Sequence, residues 1–133
     1  MTAEDRFRDY IAAFNAGEWD RLVEFYAPDV RLVIGSGRAL VGRQAIVDFY
    51  SEVKAQARRT IEVLACLSEG NVLAAELESE FLALRDIPDF AVRPMNEGDR
   101  YYINSLAFYD FAGDQFTRIR AATMVREYRP RPE

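Results

Sequence analysis

RTIEVLACLSEGNVLAAELESEF, residues 59–81, decides the fold class because its hydrophobic pattern repeats at every second residue. Leu73, Ala75 and Leu77 alternate with polar residues, and Glu69-Gly70-Asn71 separates this run from the one before it. Alternation with a period of two predicts half-buried strands, and a glycine-containing break predicts a turn between them. The stretch therefore predicts two adjacent antiparallel strands.

The residues before this stretch follow a helical period instead. Phe7, Tyr10, Ile11 and Phe14 form an apolar stripe at helical spacing. Thr2 and Asp5 resemble a capping box at the start of this helix, and Gly17 suits a left-handed cap at its end. A second short helix is predicted from Trp19 to Tyr26, with residues 27–29 ending it, and a third from about residue 43 to 57. Val30 to Ile34 predicts one early strand, which Gly35-Ser36-Gly37 breaks.

The end of the chain predicts a second pair of strands. Residues 101–111 and 116–128 are joined at Gly113-Asp114, which is a two-residue hairpin signal. Helices that come first and strands that come later favour the α+β class. We therefore expect a cone-shaped curved antiparallel sheet packed against three N-terminal helices, with a volume enclosed between the two layers.

Composition limits the possible functions. The chain has 133 residues, half of them hydrophobic, which predicts one globular domain over residues 1–133. A net charge of −5 argues against binding to nucleic acid or to an anionic membrane surface. Cys66 is the one cysteine, and the start of the chain has no apolar signal-peptide core. These features favour a cytoplasmic protein.

The missing residue types limit the chemistry further. There is no histidine, which excludes imidazole acid/base catalysis and the usual zinc sites. Lys54 is the only lysine, so a Schiff-base enzyme would have to use it. The segment Gly35 to Gly42 lacks the full dinucleotide-binding pattern, because Leu40 stands where a glycine is required. We expect no metal and no cofactor, and acid/base work falls to carboxylates, tyrosines or water.

Three stretches resemble one superfamily. YIAAFNAGEWD (residues 10–20) and FYAPDV (25–30) resemble the opening of nuclear transport factor 2-like proteins, of which the SnoaL-like proteins are one group. GRQAIVDFY (42–50) resembles their third helix, and AGDQFTRIR (112–120) resembles their last hairpin. The resemblance implies a cystatin-like α+β barrel around an internal pocket. It does not imply one function, because this superfamily includes isomerases, polyketide cyclases, epoxide hydrolases, dehydratases and binding proteins.

Ketosteroid isomerase is the relative with the most useful mechanism for comparison. It uses an Asp base with an oxyanion hole formed by a Tyr and a protonated Asp. The resemblance places the tyrosine at Tyr10, the base near Ile34 and the second acid near Leu106. Neither of the last two positions has a carboxylate, so the isomerase mechanism does not transfer. The epoxide hydrolase branch needs Asp, Arg, Tyr and Asn around a water, and only Tyr and Asn can be matched.

The turn at Gly113-Asp114 predicts which residues of the last hairpin face inward. With that turn, Phe108 lies opposite Ile119 and Asn104 opposite Thr123. The face with Arg118, Arg120 and Arg126 is expected to lie outside, so the inward residues are Asn104, Leu106, Phe108, Ile119, Ala121 and Thr123. Asn104 is then a polar group on an apolar face, either in a structural hydrogen bond or in contact with a ligand.

Glu76, Glu78 and Glu80 share one face of a strand and allow two interpretations. Hydrophobic alternation indicates a solvated face, with Arg118 and Arg120 as candidate partners across the sheet. The resemblance instead turns it toward the pocket, where desolvation and repulsion would raise their pKa values and make one a general base. In the catalytic hypothesis, Tyr10 and Asn104 bind a substrate oxygen and Glu78 moves a proton. The remaining pocket wall is predicted to include Phe14, Trp19, Tyr26, Ile34 and Phe49.

Two functions remain open at this point. The first is an enzyme, an isomerase, cyclase or hydrolase without a metal, acting on a small apolar carbonyl compound such as a steroid or polyketide. The second is a protein that binds such a molecule without chemistry, or a dimeric assembly unit. A homodimer is expected in both cases. The long loop at residues 86–99 carries Phe90, Val92 and Met95, which are candidates to close the pocket or to reach a partner.

Overall fold

The computed structural model describes residues 1–34 and 37–133. Within these ranges the chain forms three α-helices, one short 3₁₀ turn and six strands. The helices are α1 (Ala3–Ala16), α2 (Trp19–Leu22) and α3 (Arg43–Gln56), with the 3₁₀ turn at Val23–Phe25. The strands are β1 (Tyr26–Val33), β2 (Ala39–Val41), β3 (Ala57–Glu69), β4 (Val72–Ala83), β5 (Arg100–Ala112) and β6 (Gln115–Arg129).

Helix α1 has both of the predicted caps. The Thr2 side chain accepts a hydrogen bond from the backbone of Asp5, and the Asp5 side chain accepts one from Thr2, which completes the capping box. Gly17 ends the helix with a φ of 68°, a left-handed conformation that glycine adopts without a Cβ clash. The predicted stripe is buried, and it packs helix α1 against the sheet.

The second helix is shorter than the sequence predicts. Only residues 19–22 form an α-helix, and Tyr26 is the first residue of a strand instead of the last turn of a helix. Pro28 does not interrupt the strand, because β1 pairs with β6 in two separate stretches and the register shifts between Tyr26 and Arg31. The short strand β2 was not predicted. The predicted break at Gly35-Ser36 lies outside the described residues.

The strands form one mixed sheet in the order β2-β1-β6-β5-β4-β3. Strands β3 to β6 make the predicted antiparallel meander, whereas β1 runs parallel to β6. The sheet is curved and unclosed, so the α+β class is confirmed while the expectation of a purely antiparallel sheet is corrected. Parallel pairing is possible here because helix α3 and four strands separate β1 from β6 along the chain.

The predicted register of the last hairpin is wrong by one residue. The turn itself is as expected, because Ala112 pairs with Gln115. Phe111 then pairs with Phe116 but Asp110 pairs with Arg118, which leaves Thr117 as an extra residue in a β-bulge. One extra residue exchanges the two faces of a strand relative to its partner. The inward residues of β5 are therefore Ser105, Ala107 and Tyr109 rather than Asn104, Leu106 and Phe108.

The segment between β4 and β5 is a packed part of the fold. Phe90 and Met95 are buried against Phe81 and Tyr101 in a second hydrophobic cluster. Asp99 is only 1% exposed, and its carboxylate accepts hydrogen bonds from the backbone of Asn96 and Arg131 and from the hydroxyl of Tyr128. Asp99 thereby ties this segment to the end of β6 and to the residues that follow it.

Candidate functional site

A cavity of about 400 Å³ lies between the helices and the inner face of the sheet. Residues of α1 and α3 form one side of it, and inward residues of β3, β4, β5 and β6 form the other. Val92, from the segment between β4 and β5, also lines it. The lining is mostly aliphatic and aromatic, and its polar members are Arg38, Arg59, Ser79, Ser105, Thr123 and Arg126.

Tyr10 lines this cavity with its ring, but its hydroxyl already has a partner. The hydroxyl oxygens of Tyr10 and Tyr26 lie 2.6 Å apart in the core. Burial raises the pKa of both hydroxyls well above the ordinary value, so both stay protonated. One hydroxyl donates and the other accepts, which leaves only the accepting hydroxyl with a proton for another group. The pair is first of all a structural hydrogen bond within the aromatic cluster of Tyr10, Tyr26, Tyr109 and Phe116.

Arg59 is the most unusual polar residue of the cavity. Its guanidinium carbon lies 4.9 Å from the ring centre of Phe81, 5.4 Å from that of Phe14 and 5.7 Å from that of Tyr50. One terminal nitrogen donates a long hydrogen bond of 3.4 Å to the Ser79 hydroxyl. Its Nε is buried and has no hydrogen-bond partner among the described residues. The aromatic rings therefore hold the guanidinium in place while its terminal donors remain largely unused.

The second arginine of the cavity arrives there through a bulge. Asn104 pairs with Val125 while Ser105 pairs with Thr123, so Met124 is an extra residue in β6. This bulge turns Arg126 toward the cavity, and its guanidinium lies 3.5 Å from the Thr123 hydroxyl. The prediction that Arg126 shares the outer face with Arg118 and Arg120 is therefore wrong.

Carboxylates lie beside the cavity and not within it. No Asp or Glu is among the cavity-lining residues in the described parts of the chain. A neighbouring groove of about 390 Å³ shares Arg38, Phe49, Val53 and Ala91 with the cavity, and its wall includes Asp48, Glu52 and Asp89. The cavity itself therefore offers hydrogen-bond donors and hydroxyls but no carboxylate that could act as a general base.

The three residues of the catalytic hypothesis do not meet. Asn104 and Glu78 pair across β4 and β5 on the outer face, where the Asn104 amide donates to Glu78 at 3.0 Å and to Glu76 at 3.1 Å. Tyr10 lies on the other side of the sheet. Glu80 accepts a hydrogen bond from the Tyr102 hydroxyl at 2.7 Å, also on the outer face. The interpretation from alternation therefore gives the correct face for the three glutamates, although Arg118 and Arg120 are not their partners.

The predicted pocket residues divide into two groups. Those that line the cavity are Phe14, Ile34, Phe49, Ile119, Ala121 and Thr123. Leu106 and Phe108 do not, because the bulge at Thr117 places them on the outer face, 47% and 51% exposed. Trp19 and Tyr26 also lie outside the described lining: Trp19 packs at the edge of the core and Tyr26 is fully buried behind Tyr10.

Lys54 has a structural role in this fold. Its ammonium group donates to the carbonyl oxygens of Phe14 and Asn15 at 2.6 and 3.1 Å, at the C-terminal end of α1. Burial, with the charge of Arg59 nearby, lowers the pKa of Lys54. Lys54 is not among the described cavity-lining residues, so these contacts provide no support for Schiff-base chemistry.

Residues 1–34 and 37–133 contain neither a metal-binding cluster nor a membrane-spanning helix. No group of three or more Cys, Asp or Glu side chains is placed to hold a metal ion. No helix combines the length and the apolarity that crossing a bilayer requires.

Arg59 was not predicted as a cavity residue, although the sequence contains a signal for its inward position. Ala57, Ile61 and Val63 are the inward residues at the start of β3, and Arg59 continues the same alternation. Because the alternation was followed only from Ile61 onward, the one charged residue on that face was not considered. Ser105 was not predicted for a different reason, since its orientation depends on the bulge at Thr117.

Comparison with known families agrees with this architecture. The profile of the SnoaL-like domain matches residues 7–119, and the chain therefore belongs to the SnoaL-like family. The resemblance drawn from the sequence is thus confirmed at the level of the family. A search of curated protein sequences finds none that matches this chain.

Several solved structures are similar to this chain. A SnoaL-like polyketide cyclase from Agrobacterium tumefaciens str. C58 has a TM-score of 0.75 and 22% identity, over 93% of this chain and 92% of that one. SalBIII, an epoxide hydrolase/cyclase-like enzyme in pyran ring formation in the polyether salinomycin, has a TM-score of 0.74 and 19% identity, over 92% and 90%. A hypothetical protein with a ketosteroid isomerase-like fold from Catenulispora acidiphila DSM 44928, in complex with trimethylamine, has a TM-score of 0.71 and 15% identity, over 91% and 85%. At these identities the likeness establishes the fold alone.

Proposed function

We propose that this SnoaL-like protein binds a small, mostly apolar, carbonyl-bearing molecule inside the cavity. The observation that carries the proposal is the composition of the cavity wall, where aliphatic and aromatic side chains surround a few guanidinium and hydroxyl groups. Its volume of about 400 Å³ falls within the range of roughly 300–1,000 Å³ that is usual for small-molecule sites. Guanidinium and hydroxyl groups can donate hydrogen bonds to a carbonyl oxygen, which suits steroid-like and polyketide-like ligands.

We propose binding without proton transfer as the primary role. Isomerases and cyclases that act by enolisation need a group that accepts a proton. The described cavity wall has no carboxylate, and the chain has no histidine, so the groups that usually fill this role are missing from the wall. Glu78, the predicted base, lies on the far side of the sheet.

We propose a cytoplasmic location for the protein. Its single free cysteine, Cys66, is compatible with a reducing compartment.

A thermal-shift measurement with two probes tests the proposal. Androstenedione represents steroids and emodin represents aromatic polyketides. A ligand that binds only the folded protein stabilises it by about 2.7 kcal/mol at one hundred times its dissociation constant. For a domain of this size, that corresponds to a rise in the unfolding midpoint of about 5–10 °C. We expect at least one of the two probes to produce such a rise.

A pair of variants locates the binding. Ala121→Phe places a phenyl ring into the cavity, whereas Ala112→Phe adds the same ring at the exposed end of β5. We expect Ala112→Phe to respond to the probe like the wild type and Ala121→Phe to lose the response. An undiminished response in Ala121→Phe would mean that the probe binds elsewhere, and the proposal would then be wrong.

We also propose that a second copy of the chain covers the outer face of the sheet. Leu106 and Phe108 are exposed at the centre of this face, and Leu67 is 65% exposed at the edge strand β3. Glutamates of β4 lie on one side of these residues and Arg118 on the other. A two-fold axis through β5 would bring the acidic side of each copy against the basic side of the other, so the face is self-complementary.

A further inference from the structure

The chain is acidic as a whole, but the charged residues of the described cavity wall are all basic. The chain has 22 acidic and 17 basic residues, yet the described cavity wall includes three arginines and no acid. The arginines come from separate parts of the chain: Arg38 precedes β2, Arg59 lies near the start of β3 and Arg126 lies near the end of β6. Arg38 and Arg126 are exposed, and Arg38 also borders the groove that contains Asp48, Glu52 and Asp89. Arg59 is half-buried, so its charge is the one that solvent screens least.

Arg59 lacks the partner that a half-buried arginine normally has. None of the ion pairs among the described residues includes it. Arg120, on the opposite face of the sheet, shows the usual arrangement, because its guanidinium donates to the Asp110 carboxylate at 2.8 Å. A guanidinium has five donor hydrogens. The only hydrogen bond found for Arg59 among the described residues is the long one to Ser79.

The surroundings of Arg59 fix its orientation without neutralising its charge. The rings of Phe14, Tyr50 and Phe81 lie within 6 Å of the guanidinium and interact with it as cation–π partners. These rings do not accept conventional hydrogen bonds from its N–H groups, so those donors remain available to an acceptor on a ligand. A carboxylate accepts two parallel hydrogen bonds from a guanidinium, and such a pair is stronger and more directional than a bond to a neutral oxygen.

We propose that the natural ligand of the cavity is an acid: a mostly apolar ring compound with a carboxylate that pairs with Arg59. This inference rests on the proposed function and makes its ligand class more specific. The aromatic and aliphatic walls enclose the ring system, and Arg126 and Arg38 line the same cavity as Arg59. The protein therefore distinguishes an acid from its neutral ester or amide.

Matched probes test the role of the charge. 2-Naphthoic acid and 2-naphthamide have nearly the same shape, and only the acid is ionised at pH 7. In isothermal titration calorimetry we expect the wild type to bind the acid at least tenfold more tightly than the amide. We also expect this preference to disappear as the pH falls below the pKa of the free acid. This second measurement needs no variant, so it stands even if a substitution impairs folding.

Substitutions at neighbouring positions test the role of Arg59. Arg59→Met keeps the apolar stem and removes the charge, and Arg58→Met makes the same change at the exposed neighbouring position on β3. We expect Arg59→Met to weaken binding of the acid at least tenfold and to leave the amide nearly unchanged, and Arg58→Met to resemble the wild type. Arg59→Lys should retain part of the preference, because it keeps the charge but loses the paired geometry.

The possible outcomes separate this inference from the proposed function. Equal affinities for acid and amide, or equal losses of both in Arg59→Met, would overturn the inference and leave the cavity as a binding site. Binding of emodin or androstenedione without binding of 2-naphthoic acid would have the same meaning. If none of the four probes binds, both proposals fail together.

Discussion

The hydrogen bond between Tyr10 and Tyr26 can be measured with a double-mutant cycle. Tyr10→Phe and Tyr26→Phe each remove one hydroxyl and keep the ring, so the packing against Phe116 is preserved. The two oxygens are 2.6 Å apart, and the side chains are 3% and 0% exposed. Each single variant leaves a buried hydroxyl without a partner, which costs about 1–3 kcal/mol.

The double variant Tyr10→Phe/Tyr26→Phe removes both hydroxyls and leaves none unpaired. We expect it to cost about 1–2 kcal/mol less than the sum of the single variants. Urea unfolding followed by the fluorescence of Trp19, at one fixed protein concentration, measures the difference. With a loss of about 1.5 kcal/mol, the midpoint falls by about 0.5–1.5 M urea in each single variant.

Tyr102→Phe is the control, because it removes a hydroxyl that bonds to Glu80 on the outer face. We expect a change within about 0.5 kcal/mol for this substitution. The reasoning would be refuted if both single variants matched this control, or if the double variant lost the full sum of the two. Either result would mean that the buried hydroxyls do not depend on each other.

Two further predictions concern the rest of the fold. Burial acts to raise the pKa of Asp99, but hydrogen bonds from Asn96, Arg131 and Tyr128 outweigh it, so the pKa in the folded protein is lowered. Ionised Asp99 therefore stabilises the fold at pH values above its unfolded-state pKa of about 3.9. This stabilisation is lost as the pH falls through the lower folded-state pKa. We expect Asp99→Asn to lower the free energy of unfolding, measured with urea at pH 7, by about 2–4 kcal/mol, and we expect this loss to shrink in acid. The exposed control is Asp29→Asn. A loss that does not depend on pH, or one equal to that of the control, would contradict this. For the proposed dimer, Phe108→Glu should shift the mass measured by light scattering toward the monomer, while Val41→Glu on the edge strand should not; a monomeric wild type, or a dimer that tolerates Phe108→Glu, would exclude this interface.

The two strands of the last hairpin show where prediction from sequence stopped. Their existence, their ends and the turn between them follow from local signals, because Gly113-Asp114 and the alternation need no other part of the chain. The bulge at Thr117 has no such signal, and it inverts the assignment of faces on β5. The catalytic hypothesis depended on that assignment for Asn104, and the predicted pocket wall depended on it for Leu106 and Phe108. With the shifted register, all three lie on the outer face.

The sequence by itself determined helices α1 and α3, the caps of α1, the meander and the family, since these depend on periodicity and on residues close together in the chain. It also determined the chemistry that is excluded, because a chain without histidine cannot use an imidazole. Only the tertiary structure decided which side chains share the cavity. The parallel pairing of β1 with β6 and the shared cavity of Arg38, Arg59 and Arg126 join residues far apart in sequence. The two bulges of β6 lie within a local hairpin, but no residue pattern marks them. Such contacts form because folding minimises the total exposed apolar surface of the chain. That total depends on all parts of the chain together, so no local sequence pattern determines it.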